Sequence, residues 1–246
     1  MSCKVTSFTV VGANIALIFE TIESGVESSF SPRGAEYPSV QTLELYFEKL
    51  ASPAPTPGGG SAATLVGAAA AALVAMVARI TGANPRFATV ANEAAALARE
   101  ADALRARFLI AREEDEQAYG AVVDAQALPR ASEAEKKVRA ERVQAALTGA
   151  AAAPLEAAAL AAEALELALR AGALGNDHLA SDVTCAAIFA RAALEASAAN
   201  VRVNHAYMKD GATIEGQVAR LRELEGTGAE LYARANGRPR AQGHQG

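Results

Sequence analysis

The chain has 246 residues, a net charge of −5, 51% hydrophobic residues and no tryptophan. This mild acidity leaves no electrostatic footprint for nucleic acid, and two cysteines, Cys3 and Cys185, exclude a disulfide scaffold or a thiolate metal cluster and suit a reducing cytoplasm. Alanine dominates, and as the best helix former with the smallest apolar side chain it predicts an all-α fold: a multi-helix bundle of long antiparallel helices with no sheet.

Residues 1–38 hold an apolar run, Val10 to Phe19, preceded by one lysine, interrupted by Asn14 and followed by no small-x-small cleavage site. They read as a mobile N-terminal extension or a mis-called start, with a signal peptide as the lesser alternative. The domain is expected over 39–236. It opens with a short amphipathic helix in "SVQTLELYFEKLAS" (39–52), stopped by prolines. After "PAPTPGGG" a helix is predicted from Ser61 to about Thr81, with Gly82 at its C-cap and Pro85 opening the next. The alanine run inside it is closed by Arg79 and lacks basic or aromatic anchors, so it reads as a helix buried in protein and not as a membrane span. The helical pattern then runs unbroken to about Leu128, where Pro129 ends it. "SEAE" (132–135) matches a capping box for a helix in which Pro154 starts a new segment or makes a kink before Arg170. "AGALGNDHLAS" (171–181) reads as a loop, helices follow over 182–206 and 212–236, and 237–246 read as a disordered tail.

Two helices carry polar residues where apolar ones belong. Phe87, Val90, Ala94, Leu97, Ala101, Leu104, Phe108, Ala111, Asp115, Ala118 and Val122 follow at steps of three and four, one seam whose single polar member is Asp115. A carboxyl there must be paired, protonated or at the wall of a wet pocket, and burial raises its pKa towards the range of proton transfer. Glu113, Glu114 and Glu116 should face solvent instead. Asp182 and Asn200 stand eighteen residues, five full turns, apart on one face, with Ala186, Phe189 and Ala193 between them and Asn204 one turn on. The alternative for the amides is a structural hydrogen bond, and for Ser181 an N-cap. Gly58, Gly59, Gly60 and Ser61 precede a helix, an arrangement suited to an anion, yet neither a Walker A nor a dinucleotide fingerprint is present. His178, His205 and His244 show no metal-ligand spacing.

"ELYFEKLASPAPTPGGGSAATLVGAAAAALVAMVARIT" resembles the start of the folate cyclodeaminase/cyclohydrolase family. "EDEQAY" (114–119) is similar to its D-x-[QE]-A-[FY] segment, "ALPRASEAEKKVR" (127–139) to L-P-[KR]-x-T-x-x-E-K-x-x-R, "LGNDHLASDVTCAA" (174–187) to G-N-x-x-x-x-S-D, and "NVRVNH" (200–205) to N-V-x-I-N-[LI]. Ser132, Val203 and His205 depart from the pattern. The resemblance implies a helical bundle, usually a homodimer, acting in the cytoplasm on one-carbon tetrahydrofolates without a metal or further cofactor, away from membranes and nucleic acid. It places the catalytic proton donor on Asp115, with Asp182 a second catalytic candidate. Asn176, Ser181, Asn200 and Asn204 become candidates for holding the pterin or orienting the acid. Gly58 to Ser61, with Lys136 or Arg139, become candidates for the substrate's glutamate tail, polyglutamylated or not. The reaction expected first is cyclohydrolysis of 5,10-methenyl-tetrahydrofolate. Cyclodeamination is the alternative, and a non-catalytic folate-binding bundle a further one.

Overall fold

A computed structural model of the chain describes residues 42–236. The expected extension and tail lie outside these residues. Six helices make up the described part: α1 Leu43–Leu50, α2 Gly59–Ala83, α3 Ala91–Ala127, α4 Glu133–Ala173, α5 Ala180–His205 and α6 Gly211–Asn236. Among the described residues there is no strand. The helix beginning at α4 has the predicted capping box, with Ser132 accepting from the Glu135 N–H and the Glu135 carboxylate accepting from the Ser132 N–H.

Helix α2 lies at the centre, packed on α3, α5 and α4, while α4 also packs on α3, α5 and α6. Small residues allow this closeness. A Cβ on Gly67 would stand 2.3 Å from Cε1 of the fully buried Phe108, so α2 and α3 touch backbone to ring. The predicted seam of α3 is buried from Ala94 to Ala111. Two helices, α2 and α4, are long and apolar enough to cross a membrane, and much of each is buried against protein here.

The boundaries differ from expectation where tertiary contacts override local preference. Helix α2 starts at Gly59, two residues early, and Gly82 lies inside it, with Asn84 as its C-cap. A 3-10 turn, Pro85–Val90, with non-helical backbone at Phe87, breaks the run into α3.

Pro154 neither stops nor divides α4. A proline leaves the carbonyl four residues earlier without its helical donor, and the Ala150 carbonyl instead accepts from Asn204 Nδ2 of α5 at 2.8 Å. Asn204→Ala should therefore destabilise the protein by about 1–3 kcal/mol, the cost of a stranded buried acceptor. In a Pro154→Ala background, where residue 154 regains its N–H, the same substitution should cost less. A thermal-melt double-mutant cycle measures the coupling; additive effects would contradict this account.

Candidate active site

Four chain segments meet at the start of α2. Gly58 caps the helix with extended backbone and no side-chain bond, so the N–H groups of the first turn are left for partners from outside the helix. Ser61 is fully buried, and each of its polar groups is engaged. Its N–H faces the Asp115 carboxyl and favours the ionised form, its hydroxyl donates to Glu116 Oε1 at 2.7 Å, and its carbonyl accepts from Thr64 Oγ1 at 2.7 Å. The buried Tyr46 of α1 sets its hydroxyl 2.9 Å from Ser61 Oγ.

Asp115 rests directly on Gly60. A Cβ at residue 60 would lie 2.2 Å from Asp115 Oδ1 and 2.6 Å from its Cγ, so only glycine admits the carboxyl to this position. Half-buried, Asp115 has its pKa raised, chiefly by burial and further by the Glu116 charge, against the lowering pull of the Ser61 N–H. Desolvation thus outweighs the helix-end donor. The result is an acid that keeps a proton more readily than a surface aspartate and still faces a polar helix end.

Arg112 braces the cluster from one turn away on α3. Its guanidinium is 3.0 Å from Glu113 and 3.8 Å from Glu116, and it stands 5.8 Å over the Tyr46 ring. Glu113 and Glu116, expected to face solvent, are 24% and 27% exposed and turned into this network. Tyr46 and Arg112 also went unnoticed in the sequence. A spacing signal existed for both: Tyr46 lies within the apolar row Leu43, Tyr46, Phe47 and Leu50 of α1, and Arg112 precedes Glu116 by one helical turn.

Asn200 joins the site from α5, with its amide beside Gly59, where a Cβ would lie 3.5 Å from Nδ2. Its Nδ2 also donates to the Ala196 carbonyl at 2.9 Å. Asn204 lies one turn on and spends Nδ2 on Ala150 and on the Asn200 carbonyl. Beyond the start of α2, Val122, Leu147, Ala150, Ala151 and Met208 tie α3 to α4 and to the α5–α6 turn. Gln126, Arg139, Ala140, Val143, Gln144 and Lys209 line a recess of about 270 Å³ at that end.

A family model described as formiminotransferase-cyclodeaminase matches residues 42–223. The chain belongs to the formiminotransferase-cyclodeaminase family. Methenyltetrahydrofolate cyclohydrolase of Methylorubrum extorquens is 37% identical over 193 residues, covering 78% of this chain and 91% of that relative. The crystal structure of formiminotetrahydrofolate cyclodeaminase from Thermotoga maritima matches with a TM-score of 0.73 at 26% identity, covering 80% of this chain and 95% of that one.

Within this formiminotransferase-cyclodeaminase bundle, the structure brings Gly58, Gly59, Gly60, Ser61, Asp115, Asn200 and Asn204 together and leaves the other candidates apart. Asp182 and Ser181 occupy the first turn of α5, eighteen residues before Asn200 and so about 27 Å away at the helical rise. Asp182 there complements the helix dipole, and within one chain it does not reach Asp115. Ser181 is exposed and is not the N-cap, which is Leu179. Phe189, expected between Asp182 and Asn200, is 38% exposed. Asn176 is equally remote, its Nδ2 donating to Thr81 Oγ1 near the far end of α2. Lys136 is exposed and paired with Glu133 at 2.6 Å. Arg139 donates Nε to the Gln126 carbonyl at 3.0 Å beside the recess. The glycine turn, expected to receive an external anion, faces the protein's own Asp115 carboxyl through Gly60 and Ser61.

Proposed function

We propose that the chain is a methenyltetrahydrofolate cyclohydrolase, converting 5,10-methenyl-tetrahydrofolate and water to 10-formyl-tetrahydrofolate. The observation that carries this reading is the half-buried Asp115 carboxyl seated on Gly60 at a helix end. The 37% identity to a cyclohydrolase along nearly its whole length favours hydrolysis.

In this reading ionised Asp115 accepts a proton from water as its oxygen adds to the cationic methenyl carbon between N5 and N10. The resulting carbinolamine collapses when the C–N5 bond breaks. Asp115 returns its proton to N5, and the hydroxyl proton leaves to solvent as the formyl carbonyl forms on N10. Gly59 lets the pterin approach the backbone, and Asn200 Oδ1 beside it receives a pterin N–H. Arg139 and Lys209, at the recess three turns further along α3, hold carboxylates of the glutamate tail. Side chains alone supply this chemistry, with neither metal nor redox cofactor. The enzyme acts in the cytoplasm, away from membranes, as a homodimer. Exposed apolar residues such as Leu43, Phe47, Ile188 and Val203 offer surface for a second copy.

Formiminotetrahydrofolate cyclodeamination is the second reading, favoured by the structural match to a cyclodeaminase. Incubating the purified protein with each substrate distinguishes them. The expected result is loss of the near-ultraviolet absorbance of 5,10-methenyl-tetrahydrofolate well above the buffer rate, with little ammonia from 5-formimino-tetrahydrofolate. Rapid ammonia release would select the deaminase, and no acceleration of either reaction would remove both readings.

A further inference from the structure

The network behind Asp115 has a definite direction. A serine hydroxyl carries one proton, and Ser61 gives its proton to Glu116. Ser61 Oγ can therefore only accept from Tyr46, whose hydroxyl must be the donor in their 2.9 Å contact. The chain reads Tyr46 O–H to Ser61 O–H to the Glu116 carboxylate, whose same Oε1 lies 3.8 Å from the Arg112 guanidinium. Each link polarises the next in a site where Ser61 is 0% and Tyr46 2% exposed. The same serine's backbone N–H faces Asp115, whose carboxyl rests on the preceding Gly60. One residue thus fixes two neighbouring acids.

Helix α1 depends on this chain. Tyr46 is its one buried side chain, while Leu43, Leu45 and Phe47 are exposed. Its burial between Ser61 and the Arg112 guanidinium is what docks the helix.

We propose that Tyr46, Ser61 and Glu116, braced by Arg112, form a directed hydrogen-bond relay that positions the Asp115 carboxyl, making α1 a working part of the active site. Tyr46 and Glu116 are positioning residues: they act on Asp115 through Ser61. The charged and titratable groups around Asp115 are Glu116 and Arg112 on its own helix and Tyr46 on α1. Helix α2 presents Gly60 and Ser61, and α5 the neutral Asn200. Glu116 is the group whose charge opposes ionisation of Asp115.

The role assigned to Asp115 rests on the cyclohydrolase reading, so one arm of the test needs no substrate. The Asp115 carboxyl carbon is followed by ¹³C NMR against pH in wild type, Glu116→Gln and Lys137→Gln, an exposed α4 control. Glu116→Gln keeps an acceptor for Ser61 and removes the charge, and the Asp115 midpoint should move to lower pH while the control stays put. In the second arm, Tyr46→Phe keeps the ring over Arg112 and deletes the donor. It should lower kcat about five- to tenfold with KM within about twofold. An unmoved Asp115 midpoint in Glu116→Gln, or wild-type kcat in Tyr46→Phe, overturns the proposal. A wild-type protein inactive on the folate, with the midpoint still shifted by Glu116→Gln, would remove the reaction and leave the relay standing.

Discussion

Asp115→Asn should lower kcat for 5,10-methenyl-tetrahydrofolate hydrolysis by roughly 10²- to 10⁴-fold, the usual span for a lost general acid–base, and leave the protein folded. The amide is isosteric, and its oxygen can still accept from the Ser61 N–H. Stability should even improve at neutral pH. The fold raises the Asp115 pKa above its unfolded value. Whatever stability the protonated acid confers is fully present below the unfolded pKa and is lost as pH rises through the folded one. At neutral pH the ionised, desolvated carboxylate is then a burden on the fold that asparagine removes. Thermal melts of both proteins at acid and neutral pH check this: the variant's advantage should grow as pH rises. A Tm deficit at neutral pH would show that the carboxylate stabilises the fold.

Gly60→Ala is expected to be nearly as damaging to catalysis. Its Cβ would overlap the Asp115 carboxyl, with Oδ1 at 2.2 Å and Oδ2 at 2.6 Å. The atoms in the way belong to a short side chain on a packed helix, so the carboxyl must leave the Ser61 N–H. Local propensity runs the other way, since alanine favours a helix over glycine by about 1 kcal/mol. The expected outcome is a folded protein whose kcat falls on the order of 10²-fold, the cost of misplacing a reacting group. Gly216→Ala on α6, where a Cβ meets nothing within 4 Å, is the control and should keep wild-type kcat. Steady-state kinetics with circular dichroism on both variants read the result. Wild-type activity in Gly60→Ala would mean that the seat beneath Asp115 is not needed.

These two variants also show why glycines begin α2. From the sequence, "GGGS" reads as a flexible, anion-receptive turn, because local preference starts the helix at Ser61. Gly60 must be glycine because the Asp115 carboxyl occupies the space a Cβ would take, whereas a Cβ on Gly59 would only touch the Asn200 amide at ordinary contact distance. That demand comes from α3, and no window along α2 reveals it.

The seam of α3 was legible for the opposite reason. Helical periodicity fixes which side chains share a face, so Asp115 stood out as a polar member of an apolar row. Periodicity does not fix height. Asp182 and Asn200 share a face of α5, yet only Asn200 is level with the start of α2, and the register between helices decides which end of a face meets the site. Glu116, expected to face solvent because it lies off the seam by one residue, is redirected by a partner on another element. Of the two readings of Pro154, a new segment or a bend within one long helix, α4 excludes the first, and Asn204 supplies the missing donor from a helix fifty residues away in sequence.

The pH dependence of kcat/KM for 5,10-methenyl-tetrahydrofolate hydrolysis, in wild type and Asp115→Asn, tests most directly that Asp115 performs the proton transfer. The wild-type profile should fall on the acid side through a single ionisation above the ordinary aspartate value, as burial and Glu116 dictate. In Asp115→Asn that limb should vanish, leaving a low and flatter rate. The same acid limb persisting in the variant would contradict the assignment.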